Sequence, residues 1–179
     1  MRNSRIISIW TVGAVTAAVL WLGLTGTAAS AAAKPEANAN AAFAKIKSLA
    51  GNWEADTERG KVNSSYEVIS NGSVVVEHIK VPGEEEMLTV YHLDGNRLVL
   101  THYCTAGNQP QMQAEAFDPA GNQLVFNFIG GGNLSDPNKG HMHNAVFEFT
   151  GPDTFHSKWT FQENGKAKFA ENMEFHRVK

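Results

Sequence analysis

Between residues 49 and 178 the chain alternates apolar and polar residues in about ten short runs, each closed by a turn signal. A period of two belongs to strands that bury one face and wet the other. The candidate strands are 52–58, 62–69, 73–81, 86–93, 97–105, 111–118, 123–130, 141–150, 154–163 and 166–178. Between them lie Arg59-Gly60, Asn71-Gly72, Pro82-Gly83, Asp94-Gly95-Asn96, Pro119 to Asn122, Gly151-Pro152-Asp153 and Asn164-Gly165. These are turn residues, and connections this short make consecutive strands antiparallel neighbours. Such a series abolishes its free edges by closing on itself. The expected fold is all-β: an antiparallel up-and-down barrel of about ten strands, with a short helical turn over 41–49 where Phe43, Ile46 and Leu49 share a face.

The segment before the barrel has a different character. Residues 1–33 read as a signal peptide: a basic start with Arg2 and Arg5, an apolar run from Ile6 to about Leu24, and small residues offering an A-x-A cleavage site. The apolar run also has the length of a membrane anchor, and an uncleaved leader is the alternative. Residues 34–42 form a polar spacer and 43–179 a single barrel domain. Without Arg2 and Arg5, 13 of the 15 basic residues remain against 18 acidic ones, a net charge of −5. No basic stripe appears, which argues against a nucleic-acid partner. The single cysteine, Cys104, excludes an internal disulfide. A periplasmic or secreted location is expected, with no membrane partner unless the leader stays attached.

Strand faces follow from the alternation. Phe155, Ser157, Trp159 and Phe161 oppose His156, Lys158 and Thr160, and Phe169, Met173 and Phe175 oppose Ala170, Asn172, Glu174 and His176. In 141–150 the set His143, Ala145, Phe147, Phe149 is the better core face. In 97–105 the set Leu98, Leu100, His102, Cys104 competes with Val99 and Tyr103. Most inward positions of the last three strands are aromatic, so a cavity is expected toward the end bearing the two longer connectors, 106–110 and 131–140.

A short helical turn, then Leu49-Ala50-Gly51-Asn52-Trp53, then an up-and-down strand series resembles the calycin superfamily. Its members include lipocalins, fatty-acid-binding proteins and the haem-binding nitrobindin type. More narrowly, the layout is similar to exported bacterial lipocalin-like domains of unknown function. The resemblance implies that Trp53 packs across the closed end of the barrel near an Arg of the last strand, here Arg177. After Trp53 the chain reads Glu54-Ala55-Asp56, where nitrobindins carry a glycine-rich extension.

Several residues carry candidate chemistry. His102/Cys104 and His141/His143 are same-face pairs, and together they offer imidazole and thiolate ligands for zinc or copper. The plainer reading makes the first pair core residues and the second solvated residues at the mouth. A haem would need one axial His in an apolar barrel, and His176 is the candidate, although alternation places it on the outer face. Asn108 and Gln109 either bond a ligand's polar end at the cavity mouth or satisfy their own loop. His102 and Cys104, two apart on one strand, lie about 6–7 Å apart and do not form a dyad unaided. Acid–base work by Glu115 or Glu171, near Tyr66 or Tyr91, is open, but no spacing selects a pair. Glu84-Glu85-Glu86 reads as a solvated hairpin tip.

The leading expectation is an exported barrel that binds a small, largely apolar molecule. Its ligand-binding residues would be His102, Asn108, Gln109, His143, Phe147 and Trp159, with no catalytic residue and no cofactor. One alternative is an enzyme dependent on zinc, copper or haem, using His102, Cys104, His141 and His143. The other is an interaction module whose barrel is filled by its own side chains.

Overall fold

The computed structural model describes residues 39–115, 117, 122–136 and 138–179. The leader, most of the spacer and the turn at 118–121 lie outside the described residues. Helix α1 (Ala39–Lys47) precedes ten strands: β1 (Gly51–Thr57), β2 (Gly60–Ile69), β3 (Val74–Lys80), β4 (Met87–Asp94), β5 (Arg97–Tyr103), β6 (Gln109–Ala114), β7 (Gln123–Gly132), β8 (His141–Glu148), β9 (Thr154–Glu163) and β10 (Lys166–Arg177). Each strand pairs antiparallel with the next. The barrel closes where Trp53 and Glu54 of β1 meet Arg177 and His176 of β10. The all-β, ten-stranded expectation therefore holds, with the short helix at its start.

Ala39, Ala42, Phe43 and Ile46 recur at helical spacing and are all buried, so α1 presents one apolar face. Lys45 and Lys47 stand in its last turn, where cations complement the exposed carbonyls. The helix packs on β2, β4 and β5 and caps the end that carries the β2–β3 and β4–β5 turns.

Below the helix the barrel is packed with rings. Trp53 meets Phe155 edge-on at 4.8 Å, Phe155 stacks on Phe175 at 5.0 Å, and Phe147 and Phe126 continue the cluster to Tyr91. Arg177 closes this end. Its guanidinium lies 4.2 Å above the Trp53 ring and donates to the carbonyls of Ala50 (2.7 Å) and Ser48 (3.0 Å) and to Asp153 Oδ1 (3.0 Å). Trp53 Nε1 in turn donates to Leu49 O at 2.6 Å. Gly51 is required here: its φ is +123°, and a Cβ would sit 2.9 Å from the Arg177 guanidinium.

The other end is irregular. Three β-bulges fall there, between Gln111 and Met112, between Met142 and Asn144, and between Ala167 and Phe169. Bulges gather at barrel rims and re-aim side chains. At the second one His143 is the extra residue: Met142 lines the cavity beside Phe161, His143 is half-buried with its ring stacked on Phe128, and Ala145 and Phe147 are buried further along as expected. The connectors also differ from expectation. Gln109 and Pro110 belong to β6, and Gly131 and Gly132 to β7. The β5–β6 link is a tight turn in which Gly107 N–H donates to Cys104 O (2.9 Å) and Cys104 N–H to Asn108 O (3.1 Å).

Candidate functional site

A cavity of about 230 Å³ occupies the bulged end. Its walls are apolar and aromatic, including Ile79, Met87, Met142, Trp159, Phe161 and Met173. Its floor is polar, and strand register builds that floor. Tyr66 of β2 pairs with Glu77 of β3, Glu77 with Thr89 of β4, and Thr89 with His102 of β5. Residues directly opposite in adjacent antiparallel strands point to the same face. The four therefore form one continuous inward row, and all are buried.

Glu77, only 3% exposed, is the centre of the row. Its Oε1 accepts from Tyr66 OH (2.8 Å) and Ser64 Oγ (3.1 Å), and its Oε2 accepts from Tyr91 OH (2.7 Å). Burial raises the Glu77 pKa above the ordinary carboxylate value, and the hydroxyl donors oppose that shift by stabilising the anion. The two tyrosines are pushed well above 10, first by burial and then by the neighbouring carboxylate. They are donors and stay protonated.

His102 completes the row. Its Nδ1 lies 2.9 Å from Thr89 Oγ1, and its ring packs at 5.0 Å against Trp159. Burial lowers its pKa to about 4, so the imidazole is neutral at neutral pH. The tautomer of the neutral ring sets whether Nδ1 donates to the Thr89 hydroxyl or accepts from it. Among the described residues nothing hydrogen-bonds to Nε2.

The mouth is spanned by an ion-pair cluster. Arg59 of the β1–β2 turn bonds Glu84 of the β3–β4 loop, and its other terminal nitrogen lies 3.0 Å from Glu171 of β10. All three side chains line the cavity and are partly exposed.

The sequence-derived candidates separate into two groups. His102, Cys104 and Trp159 line the cavity. Phe147 is fully buried in the ring cluster of the helix-capped half. Asn108 serves the scaffold: its Nδ2 donates to Gly140 O at 2.8 Å and ties two loops together. Gln109 Nε2 donates to Gly107 O at 3.4 Å, also within its own loop. His141 Nδ1 donates to Lys139 O (2.7 Å), and its Nε2 accepts from His143 Nδ1 at 3.0 Å. Both imidazoles pack on Phe128, at 4.4 and 5.2 Å. The pairs His102/Cys104 and His141/His143 do not converge on one point. Among the described residues no group of three or more His, Cys, Asp or Glu side chains is arranged to hold a metal ion. His176 lies on the outer face near Glu174, and Glu115 accepts from Asn127 Nδ2 at 2.7 Å.

Glu77 and Thr89 were missed, although a signal was present. In Val75-Val76-Glu77-His78-Ile79 the glutamate interrupts an apolar alternate set, and Thr89 does the same between Met87 and Tyr91. A charged residue on an otherwise buried face is a departure that needs partners.

At the level of architecture, the closed ten-stranded antiparallel barrel fits a calycin-like fold. No known protein-family model matches the chain, and no curated protein matches it.

Proposed function

We propose that this chain is an exported, calycin-like single-domain barrel that binds a small, largely apolar molecule. The cavity at the bulged end carries this reading: apolar walls around a few convergent polar groups are the usual build of a small-molecule site. Its volume lies below the roughly 300–1,000 Å³ of sites for drug-sized ligands, which favours a compact occupant. His102 and Trp159 are among the residues that line that cavity. Export rests on the basic start, apolar run and A-x-A exit of residues 1–33.

Native mass spectrometry of protein from its source, together with displacement of 1-anilinonaphthalene-8-sulfonate, tests the binding reading. A stoichiometric organic adduct, or saturable dye binding lost on filling the cavity by Met142→Trp, supports it. A clean unliganded mass with no dye binding indicates a barrel filled by its own side chains. Stoichiometric zinc or copper, lost in His143→Ala, would replace the carrier reading with a metal site. A mature terminus near Lys34 in the exported protein checks the leader.

A further inference from the structure

We infer that the molecule held in this cavity is a small hydrophobic amine, bound as its ammonium ion with Glu77 as the counter-charge. The inference rests on the cavity being a binding site and adds which chemistry the site selects. Three features of the lining lead to it.

The first is a buried carboxylate without a cation. Glu77 sits on the cavity floor, and its hydrogen-bond partners are the hydroxyls of Ser64, Tyr66 and Tyr91. Among the described residues no Lys, Arg or His forms an ion pair with it. Hydroxyl dipoles stabilise a buried anion only in part, and an adjacent cation removes much of the remaining cost. An ammonium group reaching the floor is that cation.

The second is the charge of the lining. It holds three carboxylates, Glu77, Glu84 and Glu171, and one guanidinium, Arg59. Arg59 is already engaged by both mouth carboxylates. A ligand carboxylate entering here meets like charge at the mouth and again at the floor, with no disengaged cation in the lining to receive it. An ammonium ion is attracted along the same path.

The third is the hydrogen-bonding polarity of the floor. The Tyr and Ser hydroxyls direct their protons at Glu77 and leave its carboxylate oxygens as the acceptors of the floor. The floor therefore presents acceptors, and an ammonium brings three donors. The Trp159 and Phe161 rings of the wall suit both an apolar body and the positive head, since aromatic faces attract cations.

Three probes that share a phenylethyl group test this by calorimetry on the intact protein: 2-phenylethylamine, its isostere propylbenzene, and 3-phenylpropanoate. The amine should bind about ten- to a hundredfold more tightly than propylbenzene, the range expected when a hydrogen bond to a buried charge is gained. The carboxylate should bind weakest. Glu77→Gln keeps the side-chain shape, and it should bring the amine down to the affinity of propylbenzene while leaving propylbenzene within about twofold. Equal binding of amine and hydrocarbon by the wild-type protein overturns the inference and leaves the cavity reading intact. Tightest binding of the carboxylate overturns it in favour of Arg59 as the anchor. Failure of all three probes removes the cavity reading with it. The probe series needs no substitution, so it decides the matter even if Glu77→Gln does not fold.

Discussion

The two ends of this barrel draw on largely different strands. Toward α1, Trp53, Phe126, Phe147, Phe155 and Phe175 of β1 and β7 to β10 meet ring on ring. Toward the three bulges β3, β4, β5 and β10 supply Glu77, Thr89, His102 and Glu171 around an open volume. The regular half has its pleat undisturbed, so side chains from facing strands interdigitate. In the irregular half each bulge adds a residue to one strand only and turns the walls away from close packing. Ring packing is concentrated in one half and the buried polar row in the other.

Truncating rings separates the halves most sharply. Trp53→Ala removes a fully buried indole, its bond to Leu49 O and the platform under Arg177, and should cost about 3–5 kcal/mol. Phe169→Ala deletes a ring that is 47% exposed at the mouth, stacked only on Phe161 at 4.8 Å, and should cost no more than about 1 kcal/mol. Urea unfolding of the two variants measures both. Equal losses would mean that the bulged half is as solidly packed as the other.

Acid should act on the cavity half. His102 takes a proton near its ordinary 6.5 when unfolded but near 4 in the fold, because burial disfavours the cation. Its neutral burial therefore favours the folded state fully above pH 6.5, and that advantage is lost as pH falls toward 4, to a total of up to about 3 kcal/mol. Glu77 runs the other way: its pKa is raised in the fold, so ionising it costs stability as pH rises through the folded value. Denaturation of wild type and His102→Asn at pH 7.5, 6, 5 and 4 isolates the imidazole. The wild type should lose ground against the variant as pH drops, whereas a constant difference would place His102 in water.

The halves were unequally legible in the sequence. Period-two alternation and turn dipeptides carried the ten strands, their order and the aromatic filling, because each of these is a local signal. Gly51-Asn52-Trp53 and Arg177 were matched through a resemblance, and they meet because β1 pairs with β10 at that register. The bulged half was obscure for two reasons. His141-Met142-His143-Asn144 reads as regular alternation, and nothing local reveals that one residue is extra, so Met142 was not expected on the cavity wall. The floor is a row across four strands, and Tyr66, Glu77, Thr89 and His102 become neighbours only once register is known. Each was a lone polar residue on an apolar face when read along its own strand.

Two arginines give the finest version of the comparison. Arg177 donates to the exposed backbone carbonyls of Ala50 and Ser48, so its removal costs those charge-assisted bonds and uncovers the buried Trp53. Arg177→Ala should cost about 2–3 kcal/mol, the range for hydrogen bonds made by a charged group. Arg59 meets only the side chains of Glu84 and Glu171, all three partly exposed, and ion pairs of that kind contribute about 0–1 kcal/mol. Arg59→Ala should accordingly leave the urea midpoint almost unchanged. Its effect belongs to access: with the cross-mouth link gone, the Glu84 loop and β10 are no longer tied, and stopped-flow exchange of a bound probe should accelerate in both directions with the equilibrium affinity of a neutral probe preserved. A large stability loss with unchanged exchange would make Arg59 a structural clamp like Arg177, and the two ends would then differ in packing but not in the work their arginines do.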